Sequence, residues 1–314
     1  MENFKNLKKE LNKICLPIYI CGHLTPDHDS IGSSLALGAT LQKLGKEVYV
    51  LLEDYDLEIS KVHHNTHLIR HDVAHDKICF IALDLNETYR LGRFKKFYEN
   101  AEFKINIDHH QGNRTNADIV ISMPEKSSTS EIVYNIICSY GREYLDLNIG
   151  EDLYTGIMTD TSGFARRLSP YTMSIAQRLI NMGVDYDTLI RETFSHRTLY
   201  ELEALAELVN QIEFDECLHY VVIDKSKEQY SRLTHNQITK TIAEELRKIE
   251  DIDVFFIFIL ENGQITAKCM SNITKNANVI AGMFGGGGHK GEAGFTTKLT
   301  VEEIVSETKK FLLK

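Results

Sequence analysis

Apolar, strand-like runs alternate with amphipathic, helix-like stretches through residues 1–185 of the chain. Two parallel strands need a long crossover between them, usually a helix. The alternation therefore predicts an α/β domain with a mostly parallel sheet and helices on both faces. The predicted strands are residues 17–22, 47–52, 78–84, 103–108 and 119–122. The predicted helices are residues 30–44, 88–98, 128–140, 149–158 and 171–182.

The pattern changes after residue 185. Residues 186–213 have a helical periodicity without a Pro- or Gly-rich linker, which predicts one continuous helical connector. Strand-like runs then return at 218–223, 254–260 and 264–270, with a helix-like stretch at 234–249. Asn262-Gly263, between the last two runs, indicates a two-residue hairpin turn. We therefore expect a smaller α+β domain over residues 214–314.

The composition limits the class of protein and of partner. Hydrophobic residues make up 43% and charged residues 25% of the chain. Without a long apolar run or a basic-then-apolar leader, these values predict a globular cytoplasmic protein. The six cysteines are widely spaced, which favours reduced thiols over a disulfide framework. The net charge of −10 disfavours tracking along a long nucleic acid, so an anionic substrate would be short.

Two runs of metal-chelating side chains follow predicted strands. His23, Asp27 and Asp29 come after the first strand, and Asp108-His109-His110 come at the end of the fourth. The carboxyl ends of parallel strands lie at one edge of a sheet, so both runs are expected there. Imidazoles mixed with carboxylates suit Mn²⁺ better than a closed zinc site. The alternatives are a capped helix N-terminus for the first run and a surface histidine pair for the second.

Two more acidic residues stand at positions that complete a dinuclear site. Asp84 ends a buried strand, where a charged carboxylate needs a partner, and Asp160 lies in the segment 156–163. The alternatives are a turn at Asp84 and an ordinary helix-ending loop at Asp160. With the two chelating runs, these residues supply carboxylates from four separate positions in the chain.

A glycine-rich loop lies near the C-terminus. Gly285 to Gly288 are followed by His289, Lys290 and Gly291. Consecutive glycines let backbone amides approach an anion closely, so we interpret the segment as a phosphate-binding loop, with a flexible loop as the alternative.

Four histidines recur at every fourth position of one segment. They are His63, His67, His71 and His75. This spacing would place them on one helix face, which we interpret as a solvated histidine-rich surface rather than an auxiliary metal site.

The ordered set of motifs resembles the DHH phosphoesterase superfamily, specifically DHH–DHHA1 members of the nanoRNase type (bacterial oligoribonuclease and pAp phosphatase). The resemblance spans essentially the whole chain. His23 to Ser33 match the first motif, Asp84 the second, Asp108-His109-His110 with Asn113 the third, and Thr159-Asp160-Thr161 the fourth. Gly285 to His289 and Ala293-Gly294-Phe295 match the glycine-rich signature of the C-terminal domain.

The resemblance implies a role for each matched residue. His23, Asp27 and Asp84 would hold one Mn²⁺, and Asp29, Asp84, His109 and Asp160 the other, with Mg²⁺ as an alternative ion. Asp84 and His110 are the implied catalytic residues, and His110 would also contact the scissile phosphate. The remaining implied substrate-binding residues are Asn113, Ser271, Gly286, Gly287, Gly288 and His289.

The implied activity is two-metal hydrolysis of short RNA or DNA oligonucleotides, with 3′-phosphoadenosine 5′-phosphate (pAp) as a further candidate substrate. The alternatives are a phosphodiesterase for linear or cyclic dinucleotides and a nucleotide-binding regulator on the same fold. A homodimer is a further expectation. The chain departs from the family pattern at several positions. His28 stands where the family usually has glycine or proline, and Met270 stands before Ser271 in place of the usual arginine. Ala165 stands after the phenylalanine where the family usually has an arginine, with Arg166 and Arg167 next.

Overall fold

The computed structural model describes residues 2–52, 59–194, 198–214, 217–231, 239, 242–243, 245–249, 252–271 and 275–313. The chain divides into two compact units, Met1–His196 and Arg197–Lys314. Each unit has its own sheet. Every helix in the described ranges is too short or too polar to cross a membrane.

The sheet of the first unit is parallel throughout its described strands. Its strand order is β2-β1-β3-β4-β5, which confirms the predicted α/β class. The strands are β1 (Ile18–Cys21), β2 (Val48–Leu51), β3 (Cys79–Leu83), β4 (Phe103–Asp108) and β5 (Ile119–Ser122). β1 and β3 are buried along their whole length, as expected of parallel strands that are covered on both faces.

Alternate residues of β1 belong to two separate cores. Ile18 and Ile20 join a core formed largely with α2, α4 and α5, whereas Tyr19 and Cys21 join a core on the opposite face. The helices of this unit are α1 (Glu2–Lys13), α2 (His28–Lys43), α3 (Lys95–Asn100), α4 (Thr129–Tyr140), α5 (Leu147–Asp160), α6 (Pro170–Asn181) and α7 (Tyr186–Phe194).

Two local predictions for the first unit are wrong. The predicted helix at 88–98 is a 3₁₀ segment, Thr88–Phe94, followed by the short α3, because Gly92 adopts a non-helical backbone with φ 53° and ψ −131°. The segment that contains the four histidines has only two short 3₁₀ turns, Ile59–Val62 and Thr66–Leu68. A spacing of four residues therefore does not align the histidines, and His63 is buried.

The second unit has a mixed sheet with strand order β10-β11-β9-β8-β7-β6, which confirms a smaller α+β domain. Its strands are β6 (Glu213–Phe214), β7 (His219–Asp224), β8 (Val254–Glu261), β9 (Gln264–Ser271), β10 (Gly287–His289) and β11 (Glu292–Thr297). Its helices are α8 (Leu199–Asn210), α9 (Glu228–Ser231), α10 (Ala277–Gly282) and α11 (Val301–Leu312). The Asn262-Gly263 turn joins β8 to β9, with both residues at positive φ.

The connector predicted as one helix contains two. α7 ends at Phe194, and α8 begins at Leu199 with Thr198 as its N-cap. Thr198 has an extended backbone, and its side chain forms a reciprocal capping box with Glu201, which starts a new helix. The predicted helix at 234–249 lies largely outside the described residues.

Candidate metal centre

Three neighbouring strands end at the edge of the sheet that carries the candidate site. β1, β3 and β4 are adjacent in the sheet. His23 follows β1, Asp84 follows β3, and the pair His109-His110 follows β4. Because parallel strands bring their carboxyl ends to one edge, residues far apart in sequence come together here.

Asp84 connects the two halves of the cluster. Its Oδ2 lies 3.5 Å from His23 Nε2, and its Oδ1 lies 3.5 Å from His109 Nε2. Thr129 donates its hydroxyl hydrogen bond to Asp84 Oδ1 at 3.0 Å. Asp84 is only 2% exposed and adopts a left-handed backbone with φ 58°. Aspartate tolerates this conformation better than most residues, and such outliers are common at functional sites.

Asp29 is held by the N-terminus of α4. Its two carboxylate oxygens accept the backbone N–H groups of Thr129, at 2.7 Å, and Ser130, at 2.8 Å. The amide end of a helix favours a negative charge, so α4 fixes this carboxylate inside a buried cluster.

His23 and His109, whose Nε2 atoms face Asp84, are each oriented by a backbone carbonyl. His23 Nδ1 lies 2.8 Å from Leu24 O, and His109 Nδ1 lies 3.4 Å from Lys126 O. When Nδ1–H donates to these oxygens, Nε2 is the nitrogen presented to the carboxylates. This arrangement is the usual one for histidine ligands of metal ions.

Three groups of these side chains have ligand atoms within 4.8 Å of one another. The first is His23, Asp27 and Asp84; the second is Asp29, His109 and Asp160; the third is Asp84, His109 and His110. The structure thus brings all six predicted metal ligands into these groups. Asp27 also caps α2 by accepting the N–H groups of Asp29 and Ser30, so the capping alternative and the ligand interpretation are compatible.

The charges in the cluster are poorly balanced by the protein alone. Burial, together with the nearby charges of Asp84 and Asp160, raises the pKa of Asp29 well above its usual range. Burial likewise raises the pKa of Asp160. Asp160 Oδ2 is buried and accepts no hydrogen bond from the described residues. Burial alone would lower the pKa of His23, but Asp27 and Asp84 raise it to about 10.

Buried carboxylates crowded in this way either take up protons or are neutralised by cations beside them. Carboxylate oxygens combined with imidazole nitrogens are a donor set that suits Mn²⁺ and related divalent ions. The residues present therefore fit a divalent metal centre.

Asp108 belongs to the second chelating run but not to the predicted set of metal ligands. Its Oδ1 accepts a hydrogen bond from His110 Nδ1 at 2.7 Å, and its side chain is fully buried. Burial disfavours the charged form of His110, but the hydrogen bond to Asp108 and the charge of Asp84 raise the pKa of His110. The sequence contains a signal for this contact, because Asp108 stands two positions before His110.

Arg167 was also missed as a neighbour of the cluster. Its Nη1 lies 3.4 Å from Asp160 Oδ2. In the sequence, Arg166 and Arg167 come directly after the position at which the resemblance leads us to expect an arginine.

Two predicted substrate-binding residues make local contacts. Asn113 donates to Asn106 Oδ1 and accepts from the Thr115 backbone and hydroxyl groups. Ser271, in the second unit, donates its hydroxyl to Lys275 O at 2.7 Å. Met270, the residue before it, is 2% exposed, and an arginine there would have to be buried.

The glycine-rich loop has a packing requirement of its own. A Cβ on Gly286 would lie 2.1 Å from Gly294 O, and a Cβ on Gly288 would lie 2.6 Å from Ala293 Cα. A Cβ on Gly287 would meet nothing closer than Asn278 Oδ1 at 3.7 Å. The side chain of His289 lies outside the described part of the structure.

The fold and site define a two-domain α/β protein with a buried cluster of histidines and carboxylates fitted to divalent ions. Residues 17–158 match the family model described as DHH family, N-terminal domain, and residues 219–314 match the model of the DHHA1 domain. The chain belongs to the DHH family and carries a DHHA1 domain.

Among the curated proteins that are similar to most of the chain are a bifunctional oligoribonuclease and PAP phosphatase and a cyclic-di-AMP phosphodiesterase. The bifunctional oligoribonuclease and PAP phosphatase NrnA of Thermus thermophilus is 26% identical over 312 residues, which cover 95% of this chain and 89% of that protein. The cyclic-di-AMP phosphodiesterase PdeA of Listeria monocytogenes is 22% identical over 94% of this chain, but over only 46% of its own length.

Solved structures share the fold. An exopolyphosphatase-related protein from Bacteroides fragilis has a TM-score of 0.85 and 25% identity, with 99% of this chain and 95% of that chain covered. RecJ from Thermus thermophilus in complex with Mn²⁺ has a TM-score of 0.57 and 15% identity, with 99% of this chain and 54% of that chain covered. At this identity, the RecJ likeness shows the fold alone.

Proposed function

We propose that this chain is a metal-dependent phosphodiesterase that hydrolyses short oligoribonucleotides, with pAp as a second substrate. The observation that carries the proposal is the position of Asp84, whose two oxygens face His23 on one side and His109 on the other. One carboxylate shared between two groups of ligands is the arrangement that a dinuclear hydrolase needs. The class, a hydrolase acting on phosphoester bonds, agrees with the family and with the similarity to NrnA.

In this proposal the two ions share Asp84 and otherwise have separate ligands. His23, Asp27 and Asp84 would hold the first, and Asp29, Asp84, His109 and Asp160 the second. Mn²⁺ is the proposed ion, and Mg²⁺ is the alternative. Divalent ions bound in such a centre lower the pKa of a bound water and neutralise charge on phosphate oxygens.

The protein's own side chains position the substrate. His110, whose Nδ1–H donates to Asp108 at 2.7 Å, can also donate Nε2–H to a phosphate oxygen when its ring is protonated, the form that its raised pKa favours. Arg167 brings a guanidinium next to Asp160 and suits a second phosphate oxygen. From the resemblance we propose that Asn113, Ser271, Gly286, Gly287, Gly288 and His289 also bind substrate.

Net charge supports a short substrate. The chain carries a charge of −10, so it would repel a long polyanion everywhere except beside the metal ions and a few cations. The similarity to a cyclic-di-AMP phosphodiesterase supports a second candidate, hydrolysis of linear or cyclic dinucleotides.

The six cysteines, all in described ranges, form no disulfide, which supports the proposed cytoplasmic location.

Initial rates on a panel of substrates test the proposal. The panel contains RNAs of two to about ten nucleotides, pAp, and linear and cyclic dinucleotides, each assayed with Mn²⁺ and with EDTA. We expect metal-dependent release of mononucleotides, with rates that fall as the RNA lengthens. Activity restricted to the cyclic dinucleotide would select the second candidate. Rates that rise with length, or turnover that persists in EDTA, would contradict the proposal.

A further inference from the structure

A buried carboxylate outside the proposed ligand set lies on α5. Asp152 is fully buried. Its Oδ1 accepts the backbone N–H of His64 at 3.0 Å, and its Oδ2 accepts a hydrogen bond from Asn65 Nδ2 at 2.6 Å. Both partners are donors, so Asp152 must offer acceptors on both oxygens, as an ionised carboxylate does.

Asp152 also contacts His63, which in turn contacts His28 beside the candidate metal centre. His63 Nδ1 lies 3.2 Å from Asp152 Oδ1, and neither side chain is exposed. The other ring nitrogen, His63 Nε2, lies 3.2 Å from His28 Nδ1. His28 is the first residue of α2 and stands between the proposed ligands Asp27 and Asp29.

The carboxylate of Asp152 determines which atoms donate and which accept in this hydrogen-bond network. An ionised Asp152 can only accept, so His63 Nδ1–H donates to it. In a neutral His63 ring, Nε2 then has no proton and accepts a hydrogen bond from His28 Nδ1–H. The arrangement fixes the tautomer of both rings, as a carboxylate does for histidines around metal sites.

Two helices pack closely at the base of this network. A Cβ on Gly32 of α2 would lie 2.2 Å from the backbone oxygen of Asp152, so α2 and α5 approach each other closely at this point. Asp152 is thus fixed by helix packing as well as by its hydrogen bonds. A rotation of His28 would break its contact with His63.

We propose that Asp152 and His63 are positioning residues that act through His28 to hold the loop carrying Asp27 and Asp29 in its metal-binding geometry. The inference rests on the metal-binding part of the proposed function. The proposal gives a role to three residues outside the six proposed ligands. His28 stands at a position where the family usually has glycine or proline, and His63 and Asp152 come from other parts of the chain. A ligand loop that is already ordered binds its ions without a further ordering cost.

Calorimetric titration of the metal-free full-length chain with MnCl₂ tests the proposal. Asp152→Asn and His28→Ala should each weaken Mn²⁺ binding about 10- to 100-fold, the range expected for partners that orient ligands. The double variant should be no weaker than the weaker single variant, because both changes interrupt the same path. Fold losses that multiply in the double variant would mean that Asp152 acts independently of His28, and would overturn the proposal.

A control variant separates this effect from the loss of any buried histidine contact. His75 Nδ1 lies 2.8 Å from the hydroxyl of buried Tyr19, outside the proposed ligand groups. His75→Ala should therefore leave Mn²⁺ affinity unchanged, and a loss equal to that of His28→Ala would count against a specific path. If the two histidines instead share an ion, His28→Ala would lower the number of Mn²⁺ bound per chain and refute the positioning role.

Nitrogen-15 NMR of the histidine rings gives a second measurement that depends on neither activity nor metal. The chemical shifts should place the His28 proton on Nδ1 in the wild type and show a mixture of tautomers in Asp152→Asn. A proton on His28 Nε2 would overturn the proposal even if Asp152→Asn does not fold. Finding this tautomer and the Mn²⁺ effects in a protein that hydrolyses no phosphodiester would instead refute only the proposed function.

Discussion

Asp84 Oδ2 and His23 Nε2 lie 3.5 Å apart, joining residues that follow β3 and β1, two neighbouring strands. Asp84 keeps this position with a left-handed backbone, φ 58°. The identity of this residue therefore controls both the backbone conformation and the charge at the centre of the cluster.

Asp84→Asn should abolish hydrolysis while the protein stays folded. Asparagine tolerates the left-handed conformation, but it removes the negative ligand that both proposed ions share. We expect kcat/KM to fall by more than ~100-fold, since even residues that only orient metal ligands cost up to that much. Mn²⁺ assays and circular dichroism check this prediction. A variant that retains a substantial fraction of wild-type activity would rule out a shared ligand.

Removal of metal should make stability depend on pH through His23. Its pKa is raised from 6.5 to about 10 in the folded protein, so between these values the folded state binds a proton that the unfolded state does not. The contribution to stability is complete below pH 6.5 and is lost as the pH rises through about 10.

Urea unfolding in EDTA at a series of pH values measures this dependence. The free energy of unfolding should fall by up to about 1.4 kcal/mol per pH unit within that window. His23→Gln should show a smaller decrease, to which His110 with its raised pKa still contributes, whereas His67→Gln, at a residue outside the cluster, should keep the full decrease. Equal slopes in wild type and His23→Gln would contradict the assignment.

The adjacent residues His109 and His110 should have different functions, metal binding and substrate binding respectively. His109→Gln should weaken Mn²⁺ binding about 10- to 100-fold, because His109 Nε2 faces both Asp84 and Asp160. His110→Gln should keep most of the Mn²⁺ affinity yet lower kcat/KM by ~10- to 100-fold, the cost of one donor to a charged group. Metal titrations combined with kinetics on a dinucleotide decide between the roles. A collapse of metal affinity in His110→Gln would make His110 a ligand, as the third group of side chains permits.

Two adjacent glycines should respond differently to alanine. Gly286→Ala places a Cβ 2.1 Å from Gly294 O, and should reduce the free energy of unfolding by about 1–3 kcal/mol. Gly287→Ala has room for its methyl group and should fold normally. If the loop binds phosphate, Gly287→Ala should still raise KM. Thermal unfolding and Michaelis kinetics on both variants test this, and an unchanged KM in a stable Gly287→Ala would remove the loop from the substrate site.

The elements that place the ligands were predictable because their signals are local. The apolar run of β3 ends at Asp84 and that of β4 at His109, and parallel strands align their ends. The role of Asp108 and the contact between His63 and Asp152 depend on tertiary neighbours, which no periodicity reveals. The prediction of one continuous connector helix rests on the leucine periodicity and is wrong, although Thr198 and Glu201 have the spacing of a capping box, which indicates a new helix start.

The attachment of Asp29 to the amide end of α4 also bears on how the proposed centre would exchange its ions. Thr129 and Ser130 donate to both oxygens of this carboxylate without any metal. In the proposed centre, the loss of an ion would therefore leave Asp29 with both of these partners. Asp160 Oδ2 accepts no hydrogen bond in the described structure and lies 3.4 Å from Arg167 Nη1. We therefore expect replacement of one divalent ion by another to involve rearrangement at Asp160, with Arg167 as the neighbouring cation.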